Sequence, residues 1–351
     1  METLLKRLAE LSLDVDRHTL WPQVQLQALA DAGVLGWVIP QQFGGGEVSP
    51  LTMLQGYEDL SAACLTTAFI LTQRNGACQR IAACDNAELK SRLLPDLASG
   101  KTFATVGISH LTTSRQHIHT PAVQADIERD VIRLNGSIPW VTGAVHASYI
   151  VTGGACPDGR QVLVALPTGL PGVTVRPYAE LMAFTASHTA SVDVENVLLP
   201  MDHVLAGPVE GVMKQGQGGG TGSLTTSVLA LGLARRAGKL IRDQAKERPD
   251  LTDVAQRFTS ELQALHNDLY GAAEHGDQGS PHLSAAAIRH RANSLALRIT
   301  QAALGISKGA GFVKGHPAEL AVREAMFFLV WSCPQPVVQG VLDELACRAG
   351  G

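Results

Sequence analysis

Apolar positions in the first hundred residues recur at helical spacing. Behind Ser49-Pro50, the residues Met53, Tyr57, Leu60 and Cys64 step 4-3-4 and predict one buried helix face. Trp21-Pro22 predicts an earlier helix through Leu26, Leu29 and Ala30 that stops at Gly33, because proline is tolerated in a first helical turn. Val38 to Gly46, with Pro40 and three consecutive glycines, predicts a loop. No Lys-Ser/Thr follows those glycines, so a structural turn is preferred to a phosphate cradle. Glu88 to Leu97 predicts a further helix that Ser99-Gly100 ends.

From residue 103 the period shortens. Short β-rich runs at Phe103–Ile108, Val131–Leu134, Ile138–Val141, Tyr149–Thr152, Val162–Leu166, Val173–Val175 and Ala190–Val194, separated by turns such as Pro157-Asp158-Gly159, predict a small β-barrel or sandwich. Asn135-Gly136 predicts a two-residue hairpin turn between the second and third runs. Period two puts Trp140 and Thr142 on one strand face. An aromatic surface beside a hydroxyl suits a flat heteroaromatic ligand, although most strand tryptophans are simply core.

Helical spacing returns after the glycine-rich stretch 216–222, which reads as a flexible entry and not as a nucleotide loop. Leu224, Val228 and Leu231 share a face. So do Val254, Phe258, Leu262, Leu265 and Leu269, and so do Ile288, Ala292, Leu295, Ile299, Ala302 and Ile306. A last helix is expected over Glu319–Val330, stopped by Pro334 and Pro336. The expected fold is therefore α+β in three parts: an N-terminal helical domain at 1–102, a middle β domain at 103–206, and a C-terminal four-helix bundle at 207–351.

Composition narrows the function. The chain has 351 residues, 45% hydrophobic and 17% charged, and a net charge of -4, which argues against a nucleic-acid partner or an anionic membrane. No run approaches the ~18 apolar residues of a membrane-spanning helix, and no basic start precedes an apolar run, so a cytoplasmic protein is expected. The six cysteines form no Cys-x-x-Cys pair, so no metal site is expected. The segment from Ser109 to His119 is dense in hydroxyls and histidines. Without a carboxylate or cysteine to complete a metal site, it reads as a polar loop facing a ligand.

The order of parts and several motifs resemble the acyl-CoA dehydrogenase family over nearly the whole chain. Ala32-Gly33-Val34-Leu35-Gly36 through Pro40-Gln41-Gln42-Phe43-Gly44-Gly45 resembles the family's "Gly-Leu … Pro-Glu-x-Tyr-Gly-Gly". Tyr57-Glu58-Asp59-Leu60 is similar to its "Glu-Glu-Leu", and Lys90 to Pro95 with Ser99-Gly100-Lys101 to its "Lys … Leu-Pro … Ser-Gly-Glu". Asn135 to Thr142 resembles "Asn-Gly-x-Lys-x-Trp-Ile-Thr", which implies that Trp140 packs by a flavin ring and that Thr142 bonds its edge. Gly309-Ala310-Gly311-Phe312, Pro317 and Arg323-Glu324-Ala325 are similar to "Gly-Gly-x-Gly-Tyr … Pro … Arg-Asp-Ala". The resemblance implies FAD as cofactor, with FMN as the alternative. It implies Ser109, Ser114, Trp140, Thr142, Gly309 and Gly311 as cofactor-binding residues, and a homodimer or homotetramer. It also implies a small-molecule substrate such as an acyl-CoA and an electron-transfer or reductase partner.

The departures from the family are as informative. Its "Thr-Glu-Pro-x-x-Gly-Ser-Asp" falls on Ile108 to Arg115, where Ser114 alone is kept. Its arginine-Phe-Gly motif for the FAD diphosphate has no counterpart after Arg248, and an expected glutamine falls on Gly305. Its catalytic "Tyr-Glu-Gly-Thr" falls on Trp331-Ser332-Cys333-Pro334, and the alternative base position near Gly222 to Thr226 holds no carboxylate either. α,β-Dehydrogenation needs a base for the α-proton, a role that typically contributes ~10²–10⁴-fold. The replacement candidates are Ser332, Cys333 as a thiolate, and His110 or His117 in the polar loop. Three readings follow: an acyl-thioester oxidoreductase with an atypical base, a monooxygenase of the same fold using reduced flavin and oxygen, and a non-catalytic acyl- or partner-binding descendant.

Overall fold

The structure, a computed structural model, describes residues 1–112, 120–214, 224–332 and 335–346. The N-terminal part comprises α1 (Glu2–His18), α2 (Gln23–Asp31), α3 (Pro50–Ala63), α4 (Leu65–Ala83) and α5 (Ala87–Ser99). The starts and stops follow local chemistry. Ser49 Oγ accepts from Thr52 N at 3.1 Å with Pro50 in the first turn of α3, and Asn86 Oδ1 accepts from Leu89 N at 2.9 Å to cap α5. Gly100 ends α5 with φ +77°. Gly45 explains one of the three consecutive glycines: a Cβ there would sit 1.9 Å from the Ile39 carbonyl oxygen.

The middle part contains β1 (Ala104–Val106), the single-turn α6 (Ser109–Thr112), β2 (Val123–Glu128), β3 (Val131–Val141), β4 (Tyr149–Ala155), β5 (Gln161–Pro167), β6 (Val173–Val175), β7 (Ala190–Pro200) and β8 (Val204–Val209). They form one eight-stranded sheet in the order β6-β7-β3-β2-β4-β5-β8, with β1 parallel to β4. Strands β4 and β5 are buried on both faces. Ile150, Val162, Val164 and Leu166 join the sheet's own core, while Val151, Leu163 and Ala165 pack on Ala77, Cys78, Ile81, Leu93 and Leu94 of α4 and α5. Continuous burial explains why these strands read as unbroken apolar runs.

The expected Asn135-Gly136 turn is not formed. The chain reverses one strand earlier, at Arg129-Asp130, and β3 continues straight through Asn135 and Gly136. Pairing on both edges overrides the local turn preference: Asn135 and Gly136 face Gln124 and Val123 of β2, and Leu134 and Gly136 face Val197 and Val194 of β7. The extra residue lies in β7, where Asn196 has φ +51° and its N–H donates to Asn135 Oδ1 at 2.8 Å. Gly136 is required for packing, since a Cβ there would lie 2.1 Å from the Ala122 carbonyl oxygen.

The C-terminal part comprises α7 (Leu224–Ala245), α8 (Thr252–His275), α9 (Ala285–Ile306), α10 (Lys308–Gly311), α11 (Pro317–Met326) and α12 (Gln335–Leu345). Pro334 lies outside the described residues. Pro336 sits in the first turn of α12 and so opens a helix where the sequence suggests a stop. Helices α7, α8, α9 and α11 form the bundle, with α12 against α9.

The N-terminal helices dock on the bundle through a close α3–α7 seam. At Gly232 a Cβ would lie 2.4 Å from the Glu58 carbonyl oxygen, and Ser61 Oγ donates to the Leu229 carbonyl at 2.6 Å. The buried Glu58 carboxylate accepts from Arg235 Nη1 at 2.6 Å and from Tyr270 Oη at 2.7 Å, tying α3 to α7 and α8. Glu58→Ala leaves Tyr270 and Arg235 without that acceptor. It should lower stability by about 2–3 kcal/mol, less than for a fully buried ion pair because Arg235 is partly exposed. Urea unfolding checks this, and a change below about 0.5 kcal/mol, the level of an ordinary surface substitution, would show that the seam does not depend on Glu58.

Candidate functional site

A cavity of about 1010 Å³ opens where the three parts meet, at the upper end of the small-ligand range. Helices α3 and α4 form one wall and the sheet another; the start of α7 and the segment Met326–Ser332 close it.

The sheet's contribution depends on an irregularity in β3. Ile138 pairs with Val192 and Val141 with Ala190, so β3 carries an extra residue at Pro139–Trp140. Pro139 has no N–H to give the ladder, and Trp140 takes φ +56°. The bulge turns the Trp140 indole outward, 59% exposed, while Thr142 stays 2% exposed. Both line the cavity, the shared placement expected from strand spacing, reached through a bulge and not through regular pleating. Thr142 Oγ1 lies 3.2 Å from Thr189 Oγ1, which lies 2.7 Å from Ser187 Oγ, so a short hydroxyl chain fixes the Thr142 rotamer at the cavity edge.

The opposite end is aromatic. Phe327 and Trp331 stack with centroids 5.1 Å apart, Phe69 meets Trp331 edge-on at 5.1 Å, and Phe184 lies 4.6 Å from Phe327. Ser332 follows this cluster with φ +46° and lines the cavity. Arg289 Nη2 donates to the Trp331 carbonyl at 3.0 Å and holds the turn. Arg323 secures α11: its guanidinium bonds both carboxylate oxygens of Asp16, at 3.0 and 2.6 Å, and reaches Glu319 at 2.5 Å and the Met182 carbonyl at 3.0 Å. Burial opposes the Arg323 charge, but Asp16 and Glu319 more than offset it and raise its pKa.

The remaining candidates are placed as follows. Ser109 lines the cavity, with Oγ donating to the Pro139 carbonyl at 3.3 Å. His110 does not line it; Nε2 sits 2.9 Å from the Gly153 carbonyl of β4, so the imidazole is turned toward the sheet and not toward a substrate. Gly309 and Gly311 lie on α10, beyond α9, and are not among the lining residues. Ser114, His117 and Cys333 lie outside the described residues. Sequence reasoning missed Arg80, Lys214 and the aromatic end, all of which line the cavity. The signal available for Phe69 and Arg80 was weak, because α4 has no polar face to set them apart.

No Asp, Glu, His or Cys lines the cavity among the described residues, and these include every Asp and Glu in the chain. Thr225 and Thr226, at the start of α7, line it where the alternative base would stand. The lining charges are Arg80, Lys214 and Arg323. Burial pulls the Arg80 pKa below the ordinary arginine value. No described cluster of three His, Cys, Asp or Glu is placed to hold a metal ion.

The cavity fits a flavin in chemistry and size: it has an exposed indole face, a fixed hydroxyl beside it, and volume for a fused ring system together with a substrate. The family profile described as acyl-CoA dehydrogenase, N-terminal domain, matches residues 2–101. The chain is 25% identical over 338 residues to the probable acyl-CoA dehydrogenase YngJ of Bacillus subtilis (strain 168), covering 91% of this chain and 88% of that one. It is also 25% identical over 338 residues to the mitochondrial short-chain specific acyl-CoA dehydrogenase of Homo sapiens, covering 91% and 81%. The fold matches a glutaryl-coenzyme A dehydrogenase solved with glutaryl-CoA, with a TM-score of 0.83 at 19% identity over 99% of this chain and 95% of that one. With the helical, β and bundle parts in this order around one cavity, the chain has the fold of the acyl-CoA dehydrogenases and is similar to that family, whose N-terminal-domain profile it matches.

Proposed function

We propose that this chain is a flavin-dependent oxidoreductase that takes an acyl thioester or a related substrate into the cavity and does not use a carboxylate base. The observation that carries this reading is the cavity wall: Trp140 and Thr142 on one side, Ser332 on the other, and no Asp or Glu anywhere between them. FAD, or FMN in its place, supplies the hydride acceptor when bound. The Trp140 indole offers a flat apolar surface to its ring, and Thr142, held by Thr189, offers a hydroxyl to its edge. The aromatic end excludes water from the reacting bonds. Ser332 has no proton affinity at neutral pH, so it orients or hydrogen-bonds a substrate and does not deprotonate it.

A second reading, a monooxygenase using reduced flavin and oxygen, is favoured by the same absence, because that reaction needs no α-proton base. In either case the proposed form is a cytoplasmic homodimer or homotetramer with a reductase or electron-transfer partner. The 81% and 62% exposure of Phe312 and Val313 supports self-association. No described helix is long and apolar enough to cross a membrane.

The absorbance spectrum of the purified protein is the first experiment. Flavin bands are expected, and their absence after reconstitution would leave only the non-catalytic reading. Bleaching by acyl thioesters without a reductase supports the oxidoreductase; oxygen uptake with supplied reduced flavin supports the monooxygenase.

Two substitutions test the wall. Trp140→Ala should weaken flavin binding about tenfold or more, since stacking on an aromatic is worth ~1–3 kcal/mol at comparable sites; unchanged affinity by titration would remove Trp140 from the site. Ser332→Glu places a carboxylate at the cavity edge, where partial burial raises its pKa toward a useful range for a base. The variant should keep its fold and gain acyl-CoA-dependent flavin reduction over a nearly inactive wild type. Rapid wild-type reduction, or no gain in a folded and flavin-loaded variant, would contradict this.

A further inference from the structure

Helix α4 lays a ruler along the cavity. Phe69, Thr72, Gln73, Gly76 and Arg80 all line it, and the eleven residue steps from Phe69 to Arg80 span about 16 Å of helix axis. At the Phe69 end the wall is the aromatic cluster with Trp331 and Phe327. Toward Arg80, Gln79 also lines the cavity, and Gln161 and Lys214 line it beside Val212, whose N–H donates to Gln161 Oε1 and which shares an apolar cluster with Ala77, Cys78 and Ile81 of α4. The cavity is thus apolar at one end and cationic at the other.

Arg80 is 9% exposed and, among the described residues, makes one hydrogen bond, from Nη1 to the Gly76 carbonyl of its own helix at 2.8 Å. Gly76 leaves the guanidinium room to fold back, since a Cβ there would meet Arg80 Nη1 and Val106 Cγ1, each at 3.4 Å. Other buried or half-buried arginines pair with carboxylates or with several carbonyls of other segments, and Arg289 donates to the Trp331 carbonyl. Arg235 has Glu58, Arg236 has Glu324, Arg323 has Asp16, and Arg74, on the same helix, donates to the Leu35 and Leu97 carbonyls. No carboxylate meets Arg80 among the described residues, and the remaining segments contain no Asp or Glu to supply one. A buried cation without a counter-ion is costly, and this one faces an open cavity.

We propose that Arg80, with Lys214, forms an anion-recognition subsite that takes a carboxylate or phosphate group of an elongated ligand whose apolar part lies on the aromatic end. The proposal rests on the reading of this cavity as the substrate site. The anion has two sources: a carboxylate at the far end of an acyl group, or the phosphate of a phosphopantetheine arm.

The test compares wild type, Arg80→Met and Arg80→Lys, with near-ultraviolet circular dichroism confirming that each is folded. Two readouts are used. In the first, inorganic phosphate should raise the melting temperature of the wild type, and this shift should vanish in Arg80→Met and partly persist in Arg80→Lys. In the second, binding of octanoyl-pantetheine, octanoyl-phosphopantetheine and suberyl-pantetheine is followed by tryptophan fluorescence. One anionic probe should bind wild type about ten- to a hundredfold tighter than the neutral probe, a preference that weakens with added salt and disappears in Arg80→Met. Whichever anionic probe is preferred identifies the source. Equal binding of all three probes with no phosphate shift, or a preference undiminished in Arg80→Met, overturns the subsite. A phosphate shift that depends on Arg80, with none of the thioesters bound, upholds the subsite and instead overturns the acyl-thioester reading. If Arg80→Met does not fold, Arg80→Lys carries the test: a preference and a phosphate shift both equal to wild type in that variant would overturn recognition by the guanidinium.

Discussion

Helix α4 has almost no solvent face, and that constraint organises its surroundings. Of its polar side chains, Thr66, Thr67, Arg74, Asn75 and Arg80 are all buried. An unsatisfied buried donor costs about 1–3 kcal/mol, so each of these groups must find a partner inside the protein. Thr67 donates to Gln25 of α2. Arg74 reaches the Leu35 carbonyl after α2 and the Leu97 carbonyl of α5, and Asn75 donates to Tyr57 of α3 at 2.8 Å. These contacts fix α2, α3 and α5 around one axis. The apolar residues Ala77, Cys78 and Ile81 then set the same helix against the sheet. The cavity is the space that this arrangement leaves between α4, the sheet and the bundle.

Three of the ten described non-glycine residues with positive φ, Trp140, Phe184 and Ser332, line the cavity. None of these conformations is a local preference of the sequence, since L-residues rarely adopt it. Trp140 is held by strand pairing with β7 on either side of the bulge, and the turn at Ser332 by the Arg289 bond to the Trp331 carbonyl. Strain that neighbouring structure over-determines is a common mark of a site where geometry has been set for a ligand.

Much of this was legible in sequence because it depends on local chemistry. Ser49-Pro50 and Asn86 start helices by capping, Gly100 ends one, and the bundle helices show their apolar faces at regular spacing. The Trp140–Thr142 pair and the missing carboxylate at Ser332 could also be read directly. The features that escaped are set by distant partners. Asn135-Gly136 has the composition of a tight turn, yet β2 and β7 flank it on both edges, and two ladders of hydrogen bonds outweigh one turn preference. Helix α4 shows no periodicity because it is buried all round. Helix α12 carries Pro336 in its first turn where the sequence suggests a stop, because proline marks a first turn as readily as a stop. His110 could be named as a candidate base, but only the fold reveals that its Nε2 lies against the Gly153 carbonyl.

The charge pattern connects these observations to chemistry. A cavity that performs base-assisted dehydrogenation holds a negative charge beside the substrate. This one has Arg80, Lys214 and Arg323 on its walls and no Asp or Glu. Arg323 is neutralised by Asp16 and Glu319, which leaves Arg80 as the buried charge on the cavity wall without a carboxylate partner among the described residues. Charge interactions strengthen as water is excluded, so a ligand that brings its own anion gains most where the wall is driest. The absence of a carboxylate and the presence of a buried cation on the cavity wall therefore act in one direction: both favour an anionic ligand and disfavour withdrawal of a proton by a carboxylate. On the proposed reading, the reaction is governed by how the cavity holds and orients a charged molecule against Trp140 and Thr142, and no carboxylate on the wall competes for a proton.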